Sequence, residues 1–272
     1  MRLREGGWLL ALAVLLLGGC SRLTFIKPKM QRKDGEQIAQ DYQVSDSPAT
    51  KRRLADQQRM ARATQRVQSG DFDAAEREVK AILKSSPESA DANTLMAVIE
   101  DRRGRSEQAG AYYRRAAELA PGNGGVQNNY GAWLCGNGFA AESLVWFDRA
   151  LAAPDYATPA SALANAGGCA LKSGQYERAE RDLRQALALE PGNPFALGAM
   201  AESEFHHRRY FEARAFVERR LAAAPASADM LKLASQIEER LGDRTAASRY
   251  VQRLRAEFPG TVEANLGGNA VP

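Results

Sequence analysis

The chain has 272 residues, 44% of them hydrophobic but only 7% aromatic, with a formal net charge of +4. Such a composition supports a folded, alanine-rich helical protein with a thin core, and the charge is too small to imply a nucleic-acid partner. The basic excess is local: between Lys27 and Arg66, ten Lys/Arg stand against five Asp/Glu, read as a solvated linker face rather than a lipid-headgroup contact.

Arg2 and Arg4 precede an unbroken apolar run, Trp8 to Leu17. About twenty apolar residues are needed to span a bilayer, so residues 1–19 read as a cleaved secretory signal. The run ends in Leu17-Gly18-Gly19-Cys20, which resembles the lipobox of bacterial lipoproteins. The resemblance implies that Cys20 carries diacylglycerol and becomes the mature N-terminus. Each buried methylene contributes about 0.8 kcal/mol, so several acyl chains would anchor the protein to a membrane without a spanning helix. Ser21 follows the cysteine in place of an inner-membrane-retaining aspartate, which implies the periplasmic face of the outer membrane of a Gram-negative bacterium.

Residues 20–55 are expected to form the lipidated N-terminus and an extended linker, because Pro28, Gly35 and Pro48 interrupt polar sequence without a sustained helical period.

From Asp56 to about Thr261 the sequence repeats every thirty-four residues or so. Glycine recurs at Gly70, Gly104, Gly138, Gly174 and Gly242, with Arg208 in its place in the fifth unit. Five residues later comes a small residue: Ala75, Ala109, Ser143, Ala179, Ala213 and Ala247. Four residues further on comes a bulky one: Val79, Tyr113, Phe147, Leu183, Val217 and Val251. Another small residue precedes each glycine site by seven, from Ala63 to Ser235, and prolines such as Pro87, Pro121 and Pro191 close the units. This pattern resembles the tetratricopeptide repeat. It implies an all-α, right-handed superhelical solenoid of six antiparallel helix pairs, A and B, at about 56–89, 90–123, 124–157, 160–193, 194–227 and 228–261.

In this reading small residues let helix A approach helix B, the bulky residue fills the gap to the next repeat, and glycine makes a left-handed turn. Two extra residues near Pro154 to Pro159 are expected to bend or loosen the joint between repeats three and four. Residues 262–272 are expected to form a disordered tail, leaving Arg249, Gln252, Arg253 and Arg255 to give the last repeat a polar outer face.

With Cys20 lipidated, Cys135 and Cys169 remain as a pair on neighbouring A helices. Sequence leaves a disulfide and two small buried hydrophobes equally open. No catalytic constellation is visible. The two histidines, His206 and His207, are adjacent on one helix and point in different directions, with no third metal ligand at useful spacing. An enzyme, a metal site, a cofactor and a small-molecule substrate are therefore not expected.

What remains is recognition of a protein through the concave groove. In tetratricopeptide repeats it is lined by the second, fifth, ninth and twelfth positions of each helix A. The central repeats place small or apolar residues there, among them Asn128, Ala132, Ala164, Gly168, Leu171, Phe195 and Phe205. The ends carry Asp91, Asp101, Asp229 and Glu239. The expectation is a shallow apolar trough with two phenylalanines and acidic rims, suited to an apolar peptide segment or helix. The competing reading folds the phenylalanines back into the core. Asn129 and Asn165 recur at one position and are read as structural, satisfying backbone groups between helices.

The stretch Asn128-Asn129-Tyr130-Gly131-Ala132-Trp133-Leu134-Cys135 resembles the third-repeat signature of the type IV pilus biogenesis/stability lipoproteins, the PilF/PilW family. Asp243-Arg244-Thr245-Ala246-Ala247-Ser248, ending in Phe258-Pro259-Gly260, is similar to that family's last repeat. Ala140 departs from the pattern, where an aromatic is usual. The resemblance implies a pilotin, an outer-membrane lipoprotein that binds secretin subunits and promotes their localisation and multimerisation. The alternative is a periplasmic lipoprotein adaptor that scaffolds peptidoglycan enzymes or envelope assembly machinery.

Overall fold

The computed structural model describes residues 47–259, and the chain divides after Ser47, so the architecture below is that of the unit beginning at Pro48. Twelve α-helices and no strand occur among the described residues. They form six consecutive pairs: α1 (Pro48–Gln68) with α2 (Phe72–Ser85), α3 (Ala90–Arg102) with α4 (Ser106–Leu119), and α5 (Gly124–Gly136) with α6 (Ala140–Ala152). The second half comprises α7 (Pro159–Lys172) with α8 (Tyr176–Leu189), α9 (Pro194–His206) with α10 (Tyr210–Ala223), and α11 (Ala228–Leu241) with α12 (Arg244–Glu257). Odd-numbered helices are the A helices. The signal segment, Cys20 and the tail at 262–272 lie outside the described residues.

Helix α1 starts at Pro48, so residues 48–55, expected to be linker, are helical. Proline at the first helical position gives up no hydrogen bond, and alanine, lysine, arginine and leucine then favour the helix.

Turn chemistry follows the repeat. Gly70, Gly104, Gly138, Gly174 and Gly242 all have positive φ between the two helices of a pair. Arg208 takes the same left-handed conformation, at φ 60°, despite its side chain. Ser89, Asn123, Asn193 and Ser227 accept hydrogen bonds from the first-turn amides of α3, α5, α9 and α11, satisfying donors that the helix leaves open.

Inside the stack, the small residues that precede each turn site by seven and follow it by five are buried in all six repeats. The bulky residues are buried in five of them. Val251 in the last repeat is only half-buried, since no further described helix pair covers it. The bulky residue also packs on its own repeat, which the sequence reading assigned to the small residues alone. A β-carbon on Gly131 would stand 2.9 Å from Cε1 of Phe147, and one on Gly167 would stand 2.5 Å from Cγ of Leu183. Close A–B contact thus requires glycine at these two positions, where a phenyl ring and a leucine sit directly over the backbone.

The joint between repeats three and four is not loosened. Helices α6 and α7 pack at least as closely as other successive repeats do. The extra residues let Tyr156 fold over Gly124, where a β-carbon would lie 2.6 Å from the ring's Cγ. Cys135 and Cys169 are bonded across this joint, with an S–S separation of 2.01 Å and Cα atoms 5.8 Å apart.

Neighbouring A helices touch one another along the stack, while among the described residues no two B helices make a comparable contact. The A helices therefore form the inner wall, and the groove is theirs.

Candidate concave interaction surface

The predicted groove residues divide into floor and lining. Ala164 is 1% exposed and belongs to the core of repeats four and five. Gly168 is buried beneath Phe195, whose Cε1 would lie 2.9 Å from a β-carbon there. Both are floor rather than contact surface, a correction that follows from the close approach of α7 to α9. Leu171 is half-buried, packed against the cores on both sides of α7. Ala132 is open, and Asn128 is half-buried, accepting a hydrogen bond from Asn165 Nδ2 at 3.0 Å across the joint. Asn165 thus bridges two A helices through a side chain, not through the backbone groups expected of it.

The two phenylalanines part company. Phe195 keeps 53% of its surface exposed. Phe205 is half-buried, leaning on the core of repeats five and six and lying 5.6 Å from the Tyr210 ring. Each of the two readings of this pair therefore holds for one residue. The open trough narrows to Phe195, the edge of Phe205 and the helix surface between them.

That surface carries Glu202. No described group hydrogen-bonds or ion-pairs with its carboxylate. Water reaches it, yet the surrounding concave wall desolvates it enough to hold its carboxyl above the usual carboxylate range, against the opposing pull of His206 and Lys172. Asp229 on α11 pushes in the same direction as the wall. At the rims Asp91, Asp101, Asp229 and Glu239 are exposed, and none takes part in an ion pair among the described residues.

A second recess lies at the other end of the wall. About 320 Å³ in volume, it is lined by Met60, Leu95, Val98 and Val126 with Asp91 and Thr94. Sequence reasoning did not single it out; the fifth and ninth positions of the first two A helices were the available signal.

Sequence also missed the buried ion pairs. Glu100, Glu204 and Glu238 sit four residues before a turn site, each under 7% exposed. Arg105 and Arg209 bond the first two, and Arg214 bonds Glu238 from α10, donating through Nε to Oε1 at 3.0 Å. On the edge of the stack, Phe139 (52% exposed) and Phe211 (72%) stand beside the turns. Phe139 explains the departure at Ala140: the aromatic stands one residue earlier, and Ala140 enters the core of repeats three and four.

The third-repeat signature is a packing unit. Tyr130 meets Trp146 edge-on at 4.6 Å and accepts a hydrogen bond from Arg114 Nε at 3.1 Å. Gly131 seats Phe147, Trp133 covers Gly110, and Cys135 bonds Cys169. His206 and His207 diverge as expected: His206 adjoins Phe205, and His207 meets Tyr176 edge-on at 5.6 Å. Among the described residues no group of three or more His, Cys, Asp or Glu could hold a metal ion, and no helix is long and apolar enough to cross a membrane.

Comparison with known proteins agrees with this architecture. Family profiles described as tetratricopeptide repeat match residues 60–124 and 170–237. The type IV pilus assembly protein PilF of Pseudomonas aeruginosa is 26% identical over 200 residues, covering 72% of this chain and 78% of the relative. A solved structure of that species' PilF superposes with a TM-score of 0.69 at 23% identity, over 80% of this chain and 98% of the other. The crystal structure of PilW, titled a widely conserved type IV pilus biogenesis factor, also gives a TM-score of 0.69, at 31% identity over 75% of this chain and 94% of PilW. The chain belongs to the PilF/PilW family of type IV pilus tetratricopeptide-repeat proteins.

Proposed function

We propose that this chain is a pilotin: an outer-membrane lipoprotein that binds secretin subunits and promotes their localisation and multimerisation during type IV pilus biogenesis. The observation that carries the reading is the likeness to PilW, at 31% identity over 94% of that chain. The sequence Leu17-Gly18-Gly19-Cys20 supports the lipid anchor. The mechanism is tethering. Acyl chains on Cys20 hold the chain at the membrane, and the concave wall holds the client. Confinement raises the client's effective concentration at the membrane without further contacts.

Deleting the gene and measuring secretin multimers in fractionated envelopes tests this. Loss of multimers from the outer membrane, restored by the wild-type chain but not by Cys20→Ala, is the expected result. Normal multimers with filamentous or leaky cells would instead indicate an adaptor for peptidoglycan enzymes.

A further inference from the structure

The middle of the concave wall combines an open aromatic ring with a carboxylate that lacks a partner. Phe195 and Glu202 lie seven residues apart on α9, two turns along one helix face. The Phe195 ring is seated over Gly168 of α7, and more than half of the residue stays open. Glu202 receives neither a hydrogen bond nor an ion pair. Its neighbours act only through space: Lys172 from α7, His206 from its own helix and Asp229 from α11.

The contrast with acids that face into the stack is informative. Glu204, two residues further on, is held by Arg209. Glu238 is held by Arg214, and Asp182 by Arg178. Each of these buried carboxylates is matched with an arginine from the chain itself, and the groove-facing one is not. Glu202 is exposed, so water solvates its carboxylate in the free protein, and a segment that covers it strips that water at a cost unless the segment itself supplies a donor. The same surface offers an aromatic face to an apolar side chain. Exposed Asp229 beside it and the acidic rims extend the negative potential that an approaching cation would meet.

We propose that the concave face of repeats four to six accepts a peptide segment in which an arginine or lysine lies beside apolar side chains, the apolar groups packing on Phe195 and the cation pairing with Glu202. The inference rests on the groove being the client-binding surface, and it names the residue that selects the client. Acidic apolar segments are rejected by repulsion, and neutral ones leave Glu202 unpaired.

The test is to pan a random twelve-residue phage-displayed peptide library on the full chain, so that no client is presumed. Enriched peptides should combine arginine or lysine with bulky apolar residues. A synthetic copy should bind Glu202→Gln, which keeps the shape, about tenfold more weakly, the size expected for loss of one charged hydrogen bond. Glu202→Lys should prefer a peptide in which the basic residue is exchanged for glutamate. Far-UV circular dichroism checks that each variant is folded.

No enrichment, enrichment of peptides without a basic residue, or Glu202→Gln binding within twofold of the parent would overturn the proposal. An enriched basic–apolar motif that depends on Glu202 but is absent from secretin would support this inference and contradict the pilotin reading.

Discussion

The Phe195 ring lies over Gly168, where a β-carbon would stand 2.9 Å from its Cε1. Phe147 lies over Gly131 at the same separation, but Phe147 is fully buried while Phe195 is half open. Equal contacts should therefore respond differently to one added methyl group. Gly168→Ala lets the exposed ring swing into solvent, so stability should change little while client binding falls. Gly131→Ala has no such escape and should cost about 2 kcal/mol by overpacking. Urea melts of both variants measure the difference.

Arg208 is the one non-glycine residue at positive φ among the described residues, at a site where five other repeats place glycine. Left-handed backbone costs a residue with a β-carbon about 1 kcal/mol. Arg208→Gly should raise the urea midpoint, because no described partner holds the Arg208 side chain. A lowered midpoint would mean that the side chain contributes more than the strain removes.

Arg214 neutralises Glu238, which is 4% exposed between α10 and α11. Arg214→Ala leaves that carboxylate buried and unpaired and should destabilise the chain by about 3 kcal/mol. The double variant Arg214→Met with Glu238→Leu, which removes both charges, should recover most of the loss.

Glu76 makes stability sensitive to acid. Its carboxyl is held down at about 2, first by the hydrogen bond from Lys80 and then by Arg103. Because the folded value lies below the unfolded one, the stabilisation is full above the ordinary carboxylate range and is lost as pH falls toward 2. The stability difference between the parent and Glu76→Gln should therefore be largest near neutrality and shrink below about pH 4.

The Cys135–Cys169 bond closes a loop with a sequence separation of 34. Loop entropy assigns such a cross-link about 3–4 kcal/mol. Reduction, or Cys135→Ser with Cys169→Ser, should lower the melting temperature by that equivalent and act first at the joint between repeats three and four, as hydrogen exchange would report.

The repeat was legible because its spacing is local: glycine at the turn and small residues five after and seven before it determine how each pair closes. The same spacing identified which helices form the concave wall. Much of what escaped was non-local, although the Glu100–Arg105 and Glu204–Arg209 pairs are only five residues apart. Glu238 and Arg214 lie 24 residues apart on different helices, and nothing in either helix's own period marks them as partners. Phe195 and Phe205 occupy equivalent-looking positions, yet Met230 and Leu233 on the next A helix belong to the core that draws Phe205 inward. Pro154 and Pro159 suggested a weak joint; Tyr156 between them, folding onto Gly124, makes it a packed one.

On the proposed function, the concave wall holds a secretin client. Affinity capture from detergent-solubilised envelopes with the full chain, compared with its Phe195→Glu variant, tests it most directly. Secretin should be the dominant partner, with its recovery lost in the variant while helicity is unchanged. Capture without secretin, or equal recovery by Phe195→Glu, would contradict it.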